Sequence, residues 1–145
     1  MTLLELIIAC AILLILSSAA LPIAKYTVVR QKEAELRRDL REMKDAIDRY
    51  KDAADRNQIR VEIGSEGYPP DLETLVKGVQ LGASSDRKIR FLRKIPVDPM
   101  TGQAEWGLRA VQDDPDSTSW GGKNVFDVYS KSTGTALDGT KYSDW

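Results

Sequence analysis

The sequence predicts an α+β protein in which one long N-terminal helix is packed on a small C-terminal antiparallel β-sheet domain. Three observations predict it. Residues 1–24 are largely apolar and uncharged apart from Glu5, the stretch after them is densely charged yet keeps an apolar stripe at helical spacing, and the remainder is loop-rich with two short strand patterns. A chain of 145 residues has room for one domain and an appendage, so it divides into an apolar helix (1–24), its amphipathic continuation (25–56) and a small head (57–145).

Composition narrows the function classes. Histidine is absent and Cys10 is the single cysteine, which removes the commonest general base, an intrachain disulfide and a cysteine-rich zinc site. Cys10 lies within the apolar run and reads as a small hydrophobe. With 21 basic and 22 acidic residues the net charge is −1, so no global field recruits nucleic acid and partners must be found locally. Neither a Gly-rich phosphate loop nor a strand-turn-helix nucleophile motif is present, and no enzyme is expected.

The apolar run admits three readings. A cleaved secretory signal would need a basic segment in front of a shorter apolar core, and no base precedes this run. A membrane-spanning helix fits, because the uncharged residues 6–24 span about 28 Å as a helix against about 30 Å of hydrocarbon. The third reading is a helix buried among copies of itself. Pro22 removes one backbone hydrogen bond, so a kink or a locally melted segment is expected over residues 16–21.

From Lys25 to Arg56 no Gly or Pro interrupts the pattern, and the helix is expected to continue to about residue 55, roughly 80 Å in all. Leu36, Leu40, Met43, Ile47, Tyr50 and Ala54 recur at alternating spacings of 4 and 3, forming one apolar stripe that must be covered. The stripe is short for an obligate coiled coil, so the chain's own head is the expected cover. Glu33 with Arg37, Arg38 with Glu42, Arg41 with Asp45, Lys44 with Asp48 and Asp52 with Arg56 stand four apart and read as ion pairs on a solvated face.

Beyond Asn57, a Gly/Pro loop leads into a short helix with Asp71 as N-cap and Gly78 near its stop. Residues 88–103 give a short extended piece and then a turn from Asp98 to Gly102. Strands are expected over 104–111 and 124–130, as a hairpin or with a third strand from the C-terminal residues, covering the helix stripe. The acids of Asp113 to Asp116 read as a solvated loop. An Asp-Gly turn precedes Trp145, which anchors the C-terminal segment to its own sheet or to a neighbour.

Glu5 is the residue that an apolar helix does not explain. An unpaired carboxylate in a medium of low dielectric is costly, whereas the amine of Met1, one turn away or on a neighbouring copy, would pair with it and fix the axial register of packed helices. The plain alternative is an acid at the membrane surface, near a helix N-terminus whose dipole favours it.

These residues carry a resemblance. TLLEL with Glu5, the apolar run, Pro22, the charged helix, YPPDLETLV, FLRKIPVDPMTG, the FDVYS strand and the terminal DG…W resemble the type IV pilin-like proteins over nearly the whole chain. The tyrosine-proline loop and the IPVDP turn are most similar to the major pseudopilins of type II secretion systems. The resemblance implies a lollipop-shaped subunit that polymerises into a helical pilus or pseudopilus. In such a family a basic leader is removed by a prepilin peptidase and the new N-terminus is methylated. On this view Met1 is the N-methylated residue, where the family most often has Phe, and its amine stays charged.

The resemblance further implies that subunits wait in the bacterial inner membrane and are then drawn into a periplasmic or extracellular filament. An assembly platform with a cytoplasmic ATPase does the work, and minor pilins or pseudopilins join it. Glu5 would select the register of an incoming copy, and Pro22 would mark where the helix yields. The resemblance also implies Ca²⁺ in the loop before the terminal Trp, here from Leu137, Asp138, Ser143 and Asp144; the family usually sets an Asp where Tyr142 stands. The rival expectation is a monomeric bitopic membrane protein presenting a small binding domain outside the cytoplasm.

Overall fold

A computed structural model describes residues 2–145. It has a long N-terminal helix and a small head containing two antiparallel strand pairs, an α+β arrangement of lollipop form. Helix α1 runs Leu3–Asp55. At its end Arg56 and Gln58 still donate to the carbonyls of Asp52 and Ala53, and Asn57 takes a left-handed φ of 57° that turns the chain out of the helix.

Pro22 lies inside α1, and of the two expected accommodations the melted one is absent: residues 16–21 are helical. A single missing N–H removes one backbone bond while the turns on either side keep theirs. Nearby hydroxyls are absorbed by the helix itself, Ser18 donating to the Ile15 carbonyl at 2.8 Å and Thr27 to that of Ile23 at 3.0 Å.

The head covers the second half of α1. Leu36, Leu40, Met43, Ile47, Tyr50 and Ala54 are all buried, joined by Ala46 and Ala53. Against them pack Leu75 of α2 (Leu72–Lys77), Phe91, Leu92, Trp106, Val125 and Val128. Helix α2 begins at the expected cap, the Asp71 carboxylate accepting from Thr74 N–H at 2.7 Å. It stops at Gly78, whose φ of 86° and a close Ile89 carbonyl both exclude a side chain. Asp39 shares the buried face, only 4 % exposed. Burial pushes its pKa above the ordinary carboxylate value, and the adjacent Arg38 guanidinium at 3.4 Å offsets part of that.

The sheet is smaller than the sequence implies. Strands β1 (Val79–Gln80) and β2 (Lys88–Ile89) form one antiparallel pair, β3 (Trp106–Arg109) and β4 (Asp127–Ser130) another, and among the described residues no third strand joins either. The C-terminal residues supply an isolated bridge between Thr135 and Lys141. The 104–111 pattern yields four residues of strand because side chains take the next donors: Ala110 N–H goes to the Asp113 carboxylate and Val111 N–H to the Asn124 side chain. Within the β3–β4 register Gly107 faces Tyr129, whose ring would lie 2.1 Å from any Cβ there, so the strand needs glycine at that point. Arg109 stacks on the same ring, 4.0 Å from its centroid.

The Asp98 turn forms as expected, but its aspartate does more than favour a bend. Asp98 is fully buried, and its carboxylate accepts from Met100 N–H at 2.8 Å and from the Ser130 hydroxyl, tying the turn to β4. Trp106 completes the corner by donating its indole N–H to the Pro96 carbonyl at 2.9 Å.

Candidate functional site

Two parts of the molecule hold the residues singled out from the sequence. The first is the apolar half of α1. Leu3, Ile7, Leu14 and Ile23 are 74, 57, 72 and 68 % exposed, so within one copy the helix is uncovered on all sides. It contains a stretch long and apolar enough to cross a membrane by length and composition, none of it buried, as a membrane anchor or a signal sequence would be. Cys10 is exposed there as well.

Glu5 sits at the beginning of this surface, and its local partner is one the sequence reading overlooked. Thr2 caps α1: its hydroxyl accepts from Glu5 N–H at 3.2 Å while the Glu5 carboxylate accepts from Thr2 N–H at 3.1 Å. This reciprocal capping box was legible as Thr-x-x-Glu ahead of an apolar run. One Glu5 oxygen, Oε2, is engaged in it. Met1 lies outside the described residues, and with it the expected contact between its amine and Glu5.

The second part is the C-terminal loop and the α1 face beneath it. Here Glu33, Arg37 and Lys44, expected to pair four apart along the helix, turn instead toward the head. Glu33 accepts from Leu137 N–H and from the Tyr142 hydroxyl, both at 2.9 Å. The Arg37 guanidinium lies 3.5 Å from Asp138 and stacks 4.2 Å from the Trp145 ring centroid. Lys44 bonds Asp127 at 3.3 Å and the Trp145 carbonyl at 3.2 Å, and Arg38 faces Glu35 and Asp39. Of the five pairs drawn from spacing, Asp52 with Arg56 forms, at 3.1 Å.

The reason is geometric. Glu33, Arg37, Leu40 and Lys44 are one helical face, and the head lies against it, so the flanking charges find loop partners nearer than their neighbours one turn away. Tyr142 and Trp145 form an edge-to-face pair, 5.2 Å apart, and Trp145 donates its indole N–H to the Thr140 hydroxyl at 2.7 Å. Burial first, then the hydrogen bond to Glu33, raises the Tyr142 pKa, so this phenol stays a donor.

The calcium set implied by the resemblance does not fit this loop. Asp138 Oδ1 accepts both the hydroxyl and the N–H of Thr140, at 2.6 and 3.0 Å, while Oδ2 faces Arg37. Those two Thr140 bonds, and then Arg37, hold the Asp138 carboxyl below its ordinary range. A calcium ion takes about six to eight oxygens with an excess of negative charge. Here a guanidinium already supplies the cation, Asp144 is exposed in the 3₁₀ turn Tyr142–Asp144, and among the described residues no three acidic side chains gather. Leu137 offers its N–H to Glu33, and Ser143 shares that turn. Asp138 is therefore held by Thr140 and by the Arg37 guanidinium.

The other acid-rich segment is equally committed to local structure. Asp113 accepts from the N–H groups of Ala110 and Gly121 at 2.8 and 3.0 Å, which lower its pKa and close the loop on itself. Comparison of the chain with protein-family models, with curated proteins and with solved structures finds no match in any of the three.

Proposed function

We propose that the chain is a structural, non-catalytic subunit of a helical filament of the type IV pilin-like class, closest to the major pseudopilins of type II secretion. The observation that carries this reading is the apolar half of α1, exposed on every side, on the same helix whose far end buries one face, from Leu36 to Ala54, under the head. A lone copy has two ways to cover such a surface, lipid or the equivalent helices of other copies. Movement from one to the other exchanges surroundings of similar polarity, so it proceeds without a large hydrophobic penalty.

On this reading the subunit waits in the bacterial inner membrane after prepilin peptidase processing, and is drawn by an ATPase-driven platform into a periplasmic or extracellular polymer with minor pseudopilins. Glu5, at the entry to the apolar helix, meets the N-terminal amine of a neighbouring copy and sets the register.

A second reading is favoured by the capping box. Thr2 meets the needs of Glu5 inside one copy, as a monomeric bitopic protein with a small external binding domain would require. Electron microscopy of assembled or sheared material, with the intact mass of the subunit, separates the two. The filament reading expects ordered fibres from the wild type and none from Glu5→Leu, while Thr2→Ala, which removes the cap and keeps the carboxylate, still assembles. Normal fibres from Glu5→Leu would defeat the register role, and a subunit that never polymerises would establish the bitopic protein.

A further inference from the structure

The head carries one basic region whose side chains form no ion pair among the described residues. Residues 87–94 read RKIRFLRK, so five of eight positions, Arg87, Lys88, Arg90, Arg93 and Lys94, are basic in a chain of net charge −1. All five are exposed, whereas Phe91 and Leu92 between them are buried and fix the backbone to the core. Phe91 and Leu92 N–H both bond the Leu75 carbonyl, and Arg49 of α1 donates to the Phe91 carbonyl at 2.6 Å. The bases are thus mounted on a fixed segment.

Arg49, Arg90 and Arg93 line one open cavity of about 320 Å³, together with Glu42, Phe91 and Leu92. Among the described residues none of these three arginines, nor Arg87, Lys88 or Lys94, forms an ion pair, although eight other Lys and Arg side chains of the molecule do. Arg49 is held by the Phe91 carbonyl, but Arg90 and Arg93 have no acid partner among the described residues, and three like charges against the single Glu42 leave the opening net positive and favourable to an anion.

We propose that this cavity is an oxyanion site and that the 87–94 segment extends it into a binding track for a linear chain of phosphate groups. A phosphate presents three or more oxygens and accepts forked hydrogen bonds from several guanidinium groups at once, whereas a carboxylate is satisfied by one fork. The cavity has room for the anion with several waters, each about 30 Å³. Glu42 cancels one positive charge, so the site is filled by a ligand charged strongly enough to outweigh it. No aromatic ring of the segment is exposed for base stacking, so the contacts are to charge and independent of any base sequence. The patch lies at Arg49, some 26 residues along α1 from Ile23, about 39 Å from the end of the apolar half, which separates it from a membrane holding that half.

The test uses the full chain in a neutral maltoside detergent and fluorescence anisotropy with labelled inorganic polyphosphate, against inorganic phosphate, duplex DNA and poly-glutamate as competitors. Expected is binding of polyphosphate that weakens steeply with salt and is competed by DNA, with phosphate alone competing far less and poly-glutamate poorly. The paired reversal R90E/R93E weakens it at least about tenfold, since charge-assisted bonds are lost at two positions, while K123E, an exposed base elsewhere, leaves it within about twofold. To separate lost charge from misfolding, R90Q/R93Q is measured too, with its circular dichroism melt as a check on folding. Equal competition by poly-glutamate, an equal loss in K123E, or unchanged binding in a folded R90Q/R93Q would each overturn the assignment.

Discussion

The two halves of α1 share one backbone and one hydrogen-bond ladder, yet they solve opposite problems. From Leu36 to Ala54 an apolar stripe is covered by the head of the same copy, while from Leu3 to Ile23 large apolar side chains have nothing over them. Apolar content alone therefore does not determine burial. The second half alternates apolar and charged residues, so it has one face to hide and one to show; the first has no polar face, and a head on one side could cover only part of it.

The comparison breaks most directly under one substitution made in both halves. Ile47→Ala removes fully buried side-chain volume and is expected to cost about 2–5 kcal/mol of head stability. Ile7→Ala, half exposed in one copy, is expected to leave the head's melting temperature in detergent unchanged. Equal losses read by thermal denaturation would show that the halves are energetically one unit.

A smaller effect sharpens the boundary between the halves, where the C-terminal loop is clasped to α1. Arg37→Ala is expected to lower stability by about 0.5–1 kcal/mol through its lost stacking on Trp145. Its exposed contact with Asp138 adds little. Excess calcium or a chelator is expected to leave the wild-type melting temperature unmoved, because Arg37 and Thr140 already occupy the Asp138 oxygens. A calcium-dependent rise would mean that the clasp opens to admit the ion.

The smallest effect concerns Asp39, the acid on the covered face. Its pKa is raised in the folded protein, so its ionised form opposes folding: stability is fullest below the ordinary value of 3.8 and declines as pH rises through the raised one. Asp39→Asn is expected to gain a few tenths of a kcal/mol at pH 7 and to flatten stability over the mildly acidic range. Loss of stability in this variant would show that the Arg38 contact outweighs burial.

The long helix, its stripe, the Asp71 cap and the Asp98 turn were legible because each rests on local chemistry: periodicity, capping and turn residues. The capping box at Thr2 and Glu5 is equally local and stands in the sequence as Thr-x-x-Glu, although the charge of Glu5 points first to an amine as its partner. The clasp was not legible. Glu33, Arg37 and Lys44 have neighbours of opposite charge four residues away, and which partner they choose depends on where a loop about a hundred residues later comes to rest. The two-residue strands β1 and β2 leave no periodic trace, and the commitment of Asp138 to Arg37 is a tertiary fact that an Asp-Gly turn does not announce.

The clasp also orders events in time. Leu137 and Tyr142 meet Glu33 from 104 and 109 positions further along the chain, and Trp145 meets Lys44 from 101. During synthesis α1 emerges first and forms its local bonds at once, but its amphipathic half stays unsealed until the ribosome has delivered the loop that closes over it. For that interval the nascent chain is a helix with both halves bare, its stripe from Leu36 to Ala54 as uncovered as the run from Leu3 to Ile23.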